Sequence, residues 1–185
     1  MVLAEEVCPE YTKAYRRIME KMKPDITFII ERSRPLLYSP VTTPLEKDEP
    51  YLLSQRNIDF ISNHSGVVVL DYQFYKSTLP ESVAYMIQKR LQRGNMNMDD
   101  LKAPVQKYYE LHKYERMRTT ALKAPSLIHN VVGEQMCDKD WCMFYNPRNM
   151  HSYFSDGGCH PTSEGLALME PAWRRIVDNF LVNNQ

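Results

Sequence analysis

The sequence lacks any excess of charge: 23 Lys+Arg stand against 23 Asp+Glu, a formal net charge of zero. That balance argues against a nucleic-acid binder working through a broad basic face, because phosphate affinity rests on clustered Lys and Arg. It also lacks a long apolar run. The longest, Ile26–Ile30 and Val67–Leu70, are strand-sized and well short of the ~18 residues that a membrane helix requires. The first ten residues carry Glu5, Glu6 and Glu10 without an apolar stretch, so no secretory signal and no transmembrane segment is expected in this chain. Repeats and low-complexity tracts are missing too. Four cysteines are too few for a disulfide scaffold. What is present, 43% hydrophobic and 11% aromatic residues over 185 positions, describes one globular domain with a sizeable core and excludes wholesale disorder.

Cys137 and Cys142 enclose Asp138-Lys139-Asp140-Trp141. Such a pair reads as a small disulfide, as half of a metal site, or as two reduced thiols, and the spacing leaves all three open. A zinc site would draw on Cys137, Cys142, Cys159 and His160, with His151 nearby. Adjacent ligands at Cys159-His160 strain a tetrahedral geometry, so neither metal nor cofactor is expected.

Hydrophobic periodicity predicts a helix over 11–23, stopped at Lys23-Pro24-Asp25, and then a buried strand at Ile26–Ile30. Four prolines over 34–50 predict a long loop. An amphipathic helix holds Leu52, Leu53, Ile58 and Ile61, Gly66 breaks it, and Val67–Asp71 follows as a second buried strand. Helices are expected over 80–93, stopped by Gly94, and over 99–118, interrupted at its start by Pro104. A weaker third strand falls at 126–132, and a last helix over 162–181 is expected to kink or split at Pro171. The helical insert places Tyr108, Tyr109, His112 and Tyr114 among basic residues. An amphipathic helix with a solvated basic side explains it better than an RNA-stacking face. This alternation predicts an α/β fold with a parallel sheet and right-handed crossovers. The sheet is small for the length and a helix leads directly into it, so an incomplete doubly wound domain lacking its first strands is expected.

The densest cluster of functional side chains lies between Asn146 and Gly165. Asp156 and His160 sit there in a Gly-rich turn before the last helix. An Asp near a His orients the imidazole through Nδ1 and stabilises the imidazolium formed when the His takes a proton. Loops beyond the strands are where open α/β sheets build their sites. The plainer reading is a turn ahead of a helix capped by Thr162 or Ser163.

Tyr153-Phe154-Ser155-Asp156 followed by His160-Pro161-Thr162-Ser163-Glu164-Gly165 resembles the closing block of the SGNH hydrolase superfamily. The run from Asn146 through Ser152-Tyr153-Phe154 to Glu170-Pro171 resembles one subgroup more closely. That subgroup is the SGNH domain fused behind the membrane-embedded acyltransferase 3 domain of animal, nematode-like O-acyltransferases. Lys23–Ile30 resembles its third core strand, Val67–Asp71 its fourth, and the Cys137/Cys142 segment its cysteine-bearing loop.

The resemblance implies a three-layer, flavodoxin-like parallel sheet. Over 1–185 it implies a single partial SGNH-like domain with a helical insertion at about 80–120. It implies an acyltransferase or ester hydrolase acting on acyl esters of carbohydrate or lipid hydroxyls, with His160 as base and Asp156 orienting it. The implied partners are the acyl donor or ester substrate and a membrane-embedded acyltransferase domain, not nucleic acid. The implied setting is membrane-associated, with this domain lumenal or extracellular.

Three departures qualify these expectations. No Gly-Asp-Ser nucleophile motif occurs in the chain. The family spaces its pair as D-x-x-H, whereas Asp156-Gly157-Gly158-Cys159-His160 has one residue more. Glu31-Arg32-Ser33-Arg34, at the position of the family's third block, contains no Asn. None of the other serines sits in a strand-turn-helix elbow. The isolated chain is therefore expected to lack turnover. The competing class is a non-catalytic SGNH-like binding module or a fragment. If Val67–Leu70 lies on an open edge, that module would associate by strand addition.

Overall fold

The computed structural model describes residues 9–32, 39–73, 81–155 and 160–183. The chain divides into two compact units, Met1–Gln73 with His112–Asn130, and Phe74–Leu111 with Val131–Gln185.

The first unit begins with α1 (Pro9–Met22). Lys23 ends it with φ +45°, its N–H donating to the Met19 carbonyl at 3.0 Å. β1 (Ile26–Arg32) and β2 (Val67–Gln73) are the two apolar runs, and they pair in parallel from Ile26↔Val67 to Arg32↔Gln73. β4 (Leu127–Asn130) pairs in parallel with β2, from Val68↔Leu127 to Asp71↔Asn130. The sheet order is therefore β1-β2-β4. Ile29, Val68 and Val69 are almost wholly buried, each stabilising the fold by about 1.5–3 kcal/mol. The expected α/β class with a parallel sheet is what forms.

Val67–Leu70 is not an edge, however. β2 is the central strand, and the edges among the described residues are β1 and β4. β4 is also shorter than the expected 126–132, because Val132–Met136 turns into a 3-10 helix.

α2 (Glu49–Ser62) reaches back into the expected loop and includes Pro50. Asp48 supplies the cap, accepting from the Tyr51 N–H at 3.0 Å. Proline near the first helical position costs nothing, since its missing N–H would have had no partner in the helix. α5 (Lys113–Ala121) packs on α2.

In the second unit, α3 (Val83–Gln92) starts at Ser82, which accepts from the Tyr85 N–H. It ends at Gly94, whose φ of +65° suits a residue without Cβ. The single helix expected over 99–118 does not form. Asp99–Leu101 is 3-10, β3 (Lys102–Pro104) is extended, α4 (Val105–Leu111) follows, and the chain breaks at His112 before α5. Pro104 disfavours helix at the residue before it, and β3 pairs antiparallel with β5 (Trp141–Met143) instead. Tyr108 and His112 are buried rather than presented on a basic face.

α6 (Ser163–Asn183) runs through Pro171 without splitting. The proline removes one donor, the partner of the Ala167 carbonyl, and the helix is long enough to continue on both sides. Leu101, Val132, Phe144, Phe154 and Met169 centre this unit's core, and Met98 joins it while Met96 is exposed. No helix among the described residues is long and apolar enough to cross a membrane.

Candidate active site

The described part of the segment singled out in the sequence is held by two isolated β-bridges ahead of α6, Tyr145 to Ser152 and Phe154 to Pro161, all within the second unit. After β5, Phe144 and Tyr153 pair through Tyr153 N–H to Phe144 O at 3.0 Å. Tyr145 bridges Ser152, and Asn146 N–H donates to His151 O at 2.8 Å. Asn146 and Asn149 side chains accept from the N–H groups of Arg148 and His151, both at 3.0 Å. This is the way Asx residues shape tight turns. Met150 closes the turn at φ +62°.

Ser155 and His160 flank the segment that holds Asp156 in the sequence. Phe154 bridges Pro161, and Thr162 N–H donates to Tyr153 O at 2.9 Å. Ser155 N–H and Oγ both donate to the His160 carbonyl, at 2.9 and 3.2 Å. His160 is exposed. Asp156, Gly157, Gly158 and Cys159 lie outside the described residues, as does Ser33. The side chains of Glu31 and Arg32 lie outside them as well.

Two contacts fix where His160 leaves the fold. Thr162 is the cap of α6: its Oγ1 accepts from Gly165 N–H at 3.2 Å and donates to Ser152 O at 2.7 Å. Gly165 is pressed against the opposing strand so closely that a Cβ there would stand 2.2 Å from the Tyr153 carbonyl oxygen. Phe154, fully buried against Phe144 at 6.4 Å between ring centres, anchors the same strand in the core. His160 therefore stands between its contact with Ser155 and the capped start of α6.

Glu164 ties the turn of Asn146 and Asn149 to the start of α6. Its carboxylate accepts from Asn146 Nδ2 at 2.5 Å and Asn149 Nδ2 at 3.2 Å, with His151 Nδ1 at 3.6 Å. The two amides, and after them His151, hold the carboxyl below the usual glutamate range. Burial, with Glu164 beside it, pushes the Tyr153 phenol up. Only the Asn-x-x-Asn spacing hinted at this clamp.

Cys137 and Cys142 are joined by a disulfide, with Cα atoms 3.9 Å apart. Their sulfurs are thereby committed to each other, which removes two of the four zinc ligands considered above. Among the described residues no group of three or more His, Cys, Asp or Glu is placed to hold a metal ion.

In the first unit, the carboxyl edge of the parallel sheet carries Asp71, 2% exposed, in register with Asn130. Asn130 Nδ2 is buried without a hydrogen-bond partner among the described residues. Comparison with known protein families, curated proteins and solved structures finds no match for this chain.

Proposed function

We propose that this chain carries the base half of an SGNH-like acyl-transfer site. In this reading an acceptor hydroxyl attacks the ester carbonyl while His160 takes its proton, and Asp156 orients and stabilises the imidazolium. Collapse of the tetrahedral intermediate returns that proton from His160 to the departing oxygen. The substrates are acyl esters of carbohydrate or lipid hydroxyls. The attacking hydroxyl comes from outside these 185 residues or from the acceptor itself, because the sequence holds no Gly-Asp-Ser.

The observation that carries the reading is the placement of His160. It is exposed, its carbonyl is pinned twice by Ser155, and it stands directly before the capped start of α6. A disulfide at Cys137–Cys142 suits the lumenal or extracellular setting of the family that the chain resembles. The membrane-embedded acyltransferase domain is the proposed partner.

The test is ester formation from p-nitrophenyl acetate and an added alcohol, with His160→Ala and Asp156→Asn beside the wild type. Product that falls in both variants supports the proposal. Equal product in all three chains contradicts it and leaves a non-catalytic binding module.

A further inference from the structure

Asn63-His64-Ser65 is the one Asn-x-Ser/Thr triplet in the sequence, the acceptor pattern for an N-linked oligosaccharide. It falls on the turn between α2 and β2. Asn63 follows the last residue of α2 with helical backbone angles, φ −73° and ψ −12°, and its N–H still donates to the Asp59 carbonyl at 3.0 Å. The residue is exposed, and among the described residues its hydrogen bonding is made by its backbone. His64 turns back on the helix and does not shield it: Nδ1 lies 2.8 Å from the Phe60 carbonyl oxygen, and the two ring centres are 4.5 Å apart. Val67 opens β2 just beyond, so Asn63 sits at the amino edge of the sheet, whereas Asp71 and Asn130 mark the carboxyl edge. A glycan on Asn63 leaves free the edge at which open α/β sheets build their sites.

We propose that Asn63 is an acceptor for N-linked glycan. The inference rests on the lumenal or extracellular setting proposed for the chain, to which the Cys137–Cys142 disulfide also belongs. The co-reactant is an oligosaccharide carried on a polyprenyl diphosphate, and a lumenal transferase is the catalyst. Asn63 Nδ2 bonds to the sugar C1 as the C1–O bond to the diphosphate breaks. The amide gives up one proton, and the lipid diphosphate departs with the electron pair. Ser65 shows when this happens. In the folded chain its Oγ stands 2.6 Å from Thr27 Oγ1 and 3.2 Å from the Pro24 carbonyl oxygen, and Gly66 N–H donates to that same carbonyl at 3.0 Å. The hydroxyl that completes the acceptor pattern is therefore engaged once β1 and β2 have paired. Transfer precedes that pairing, on the chain as it is made.

The test is translation of the full chain behind a cleavable signal peptide with sealed microsomes present, and Asn63→Gln and Ser65→Ala beside the wild type. Protection from added protease shows which product has entered the lumen. The expected result is a protected wild type with a single reduction in gel mobility, reversed by peptide-N-glycosidase, and no such shift in either variant. Since transfer precedes folding, a variant that folds poorly still reports. A protected wild type without the shift, or a shift that persists in either variant, overturns the proposal. The signal peptide supplies entry, so these outcomes do not depend on the setting itself. That reading fails separately, if protease added outside sealed microsomes from the cells of origin digests the natural protein.

Discussion

Arg118 grips Asp48 through two hydrogen bonds of 2.8 Å, Nε to Oδ1 and Nη2 to Oδ2, across 70 positions of sequence. Both groups are buried. Asp48 at the same time caps α2, and Arg118 Nη1 reaches the Ser39 carbonyl at 2.8 Å. One ion pair thus joins the start of α2 to α5.

Arg118→Met is expected to destabilise the chain by about 3–5 kcal/mol, because it leaves a buried carboxylate without its partner. Urea unfolding reads the difference directly. The hydrogen bond from Arg118 is the main reason that the Asp48 carboxyl lies below its ordinary range. Its contribution is complete above the unfolded Asp value of about 3.9 and is lost as pH falls through the folded value. Stability of the Arg118→Met chain is therefore expected to depend less on acid than that of the wild type.

Glu115 behaves in the opposite sense. Its carboxyl is almost wholly buried with His112 Nδ1 at 3.0 Å, and burial pushes it above the usual glutamate range. Its contribution is present below the unfolded Glu value of about 4.3 and is lost as pH rises through the folded value. Glu115→Gln is expected to flatten that loss. Denaturant midpoints taken on both sides of the acid range check it, and an unchanged slope in the variant would refute it.

Reducing the Cys137–Cys142 bridge is expected to lower stability by about 2 kcal/mol, the value for closing so short a loop. A thermal scan with reductant shows a lower midpoint, and a scan with chelator shows none.

Gly165→Ala is expected to be among the most damaging single-methyl changes in the chain. The new Cβ cannot share space with the Tyr153 carbonyl oxygen 2.2 Å away, so either α6 or the strand must shift. A loss of at least about 2 kcal/mol follows from strain of this kind. Gly165→Ser should be no milder, and a melting point unchanged in both would contradict the close approach.

The parallel sheet was legible because Ile26–Ile30 and Val67–Leu70 are continuous apolar runs, which few structures other than doubly covered strands explain. The Asp156–His160 segment stood out for its density of polar groups before a helix. Other features carried no local signal. Asp48 and Arg118 are far apart in sequence, and nothing near either announces the pair. β3 and β5 are three residues each, too short for alternation to show against the helical composition around Pro104. Pro171 misled for a related reason: helix breaking by proline is a local preference, and the long helix around it outweighs one lost hydrogen bond. Glu164 was hidden because its partners are 15 and 18 positions away.

His160, and not merely any exposed imidazole, is the proposed working base. The most direct test is acetyl transfer from p-nitrophenyl acetate to an added alcohol, which supplies the hydroxyl the chain lacks, by the wild type, His160→Ala and His151→Ala. His151 is 68% exposed and close by in sequence, so it reports what any surface histidine contributes. A drop of about tenfold or more is expected for His160→Ala, short of the 10²–10⁴ of a complete site, and a near-wild-type rate for His151→Ala. Equal rates for both variants would contradict it.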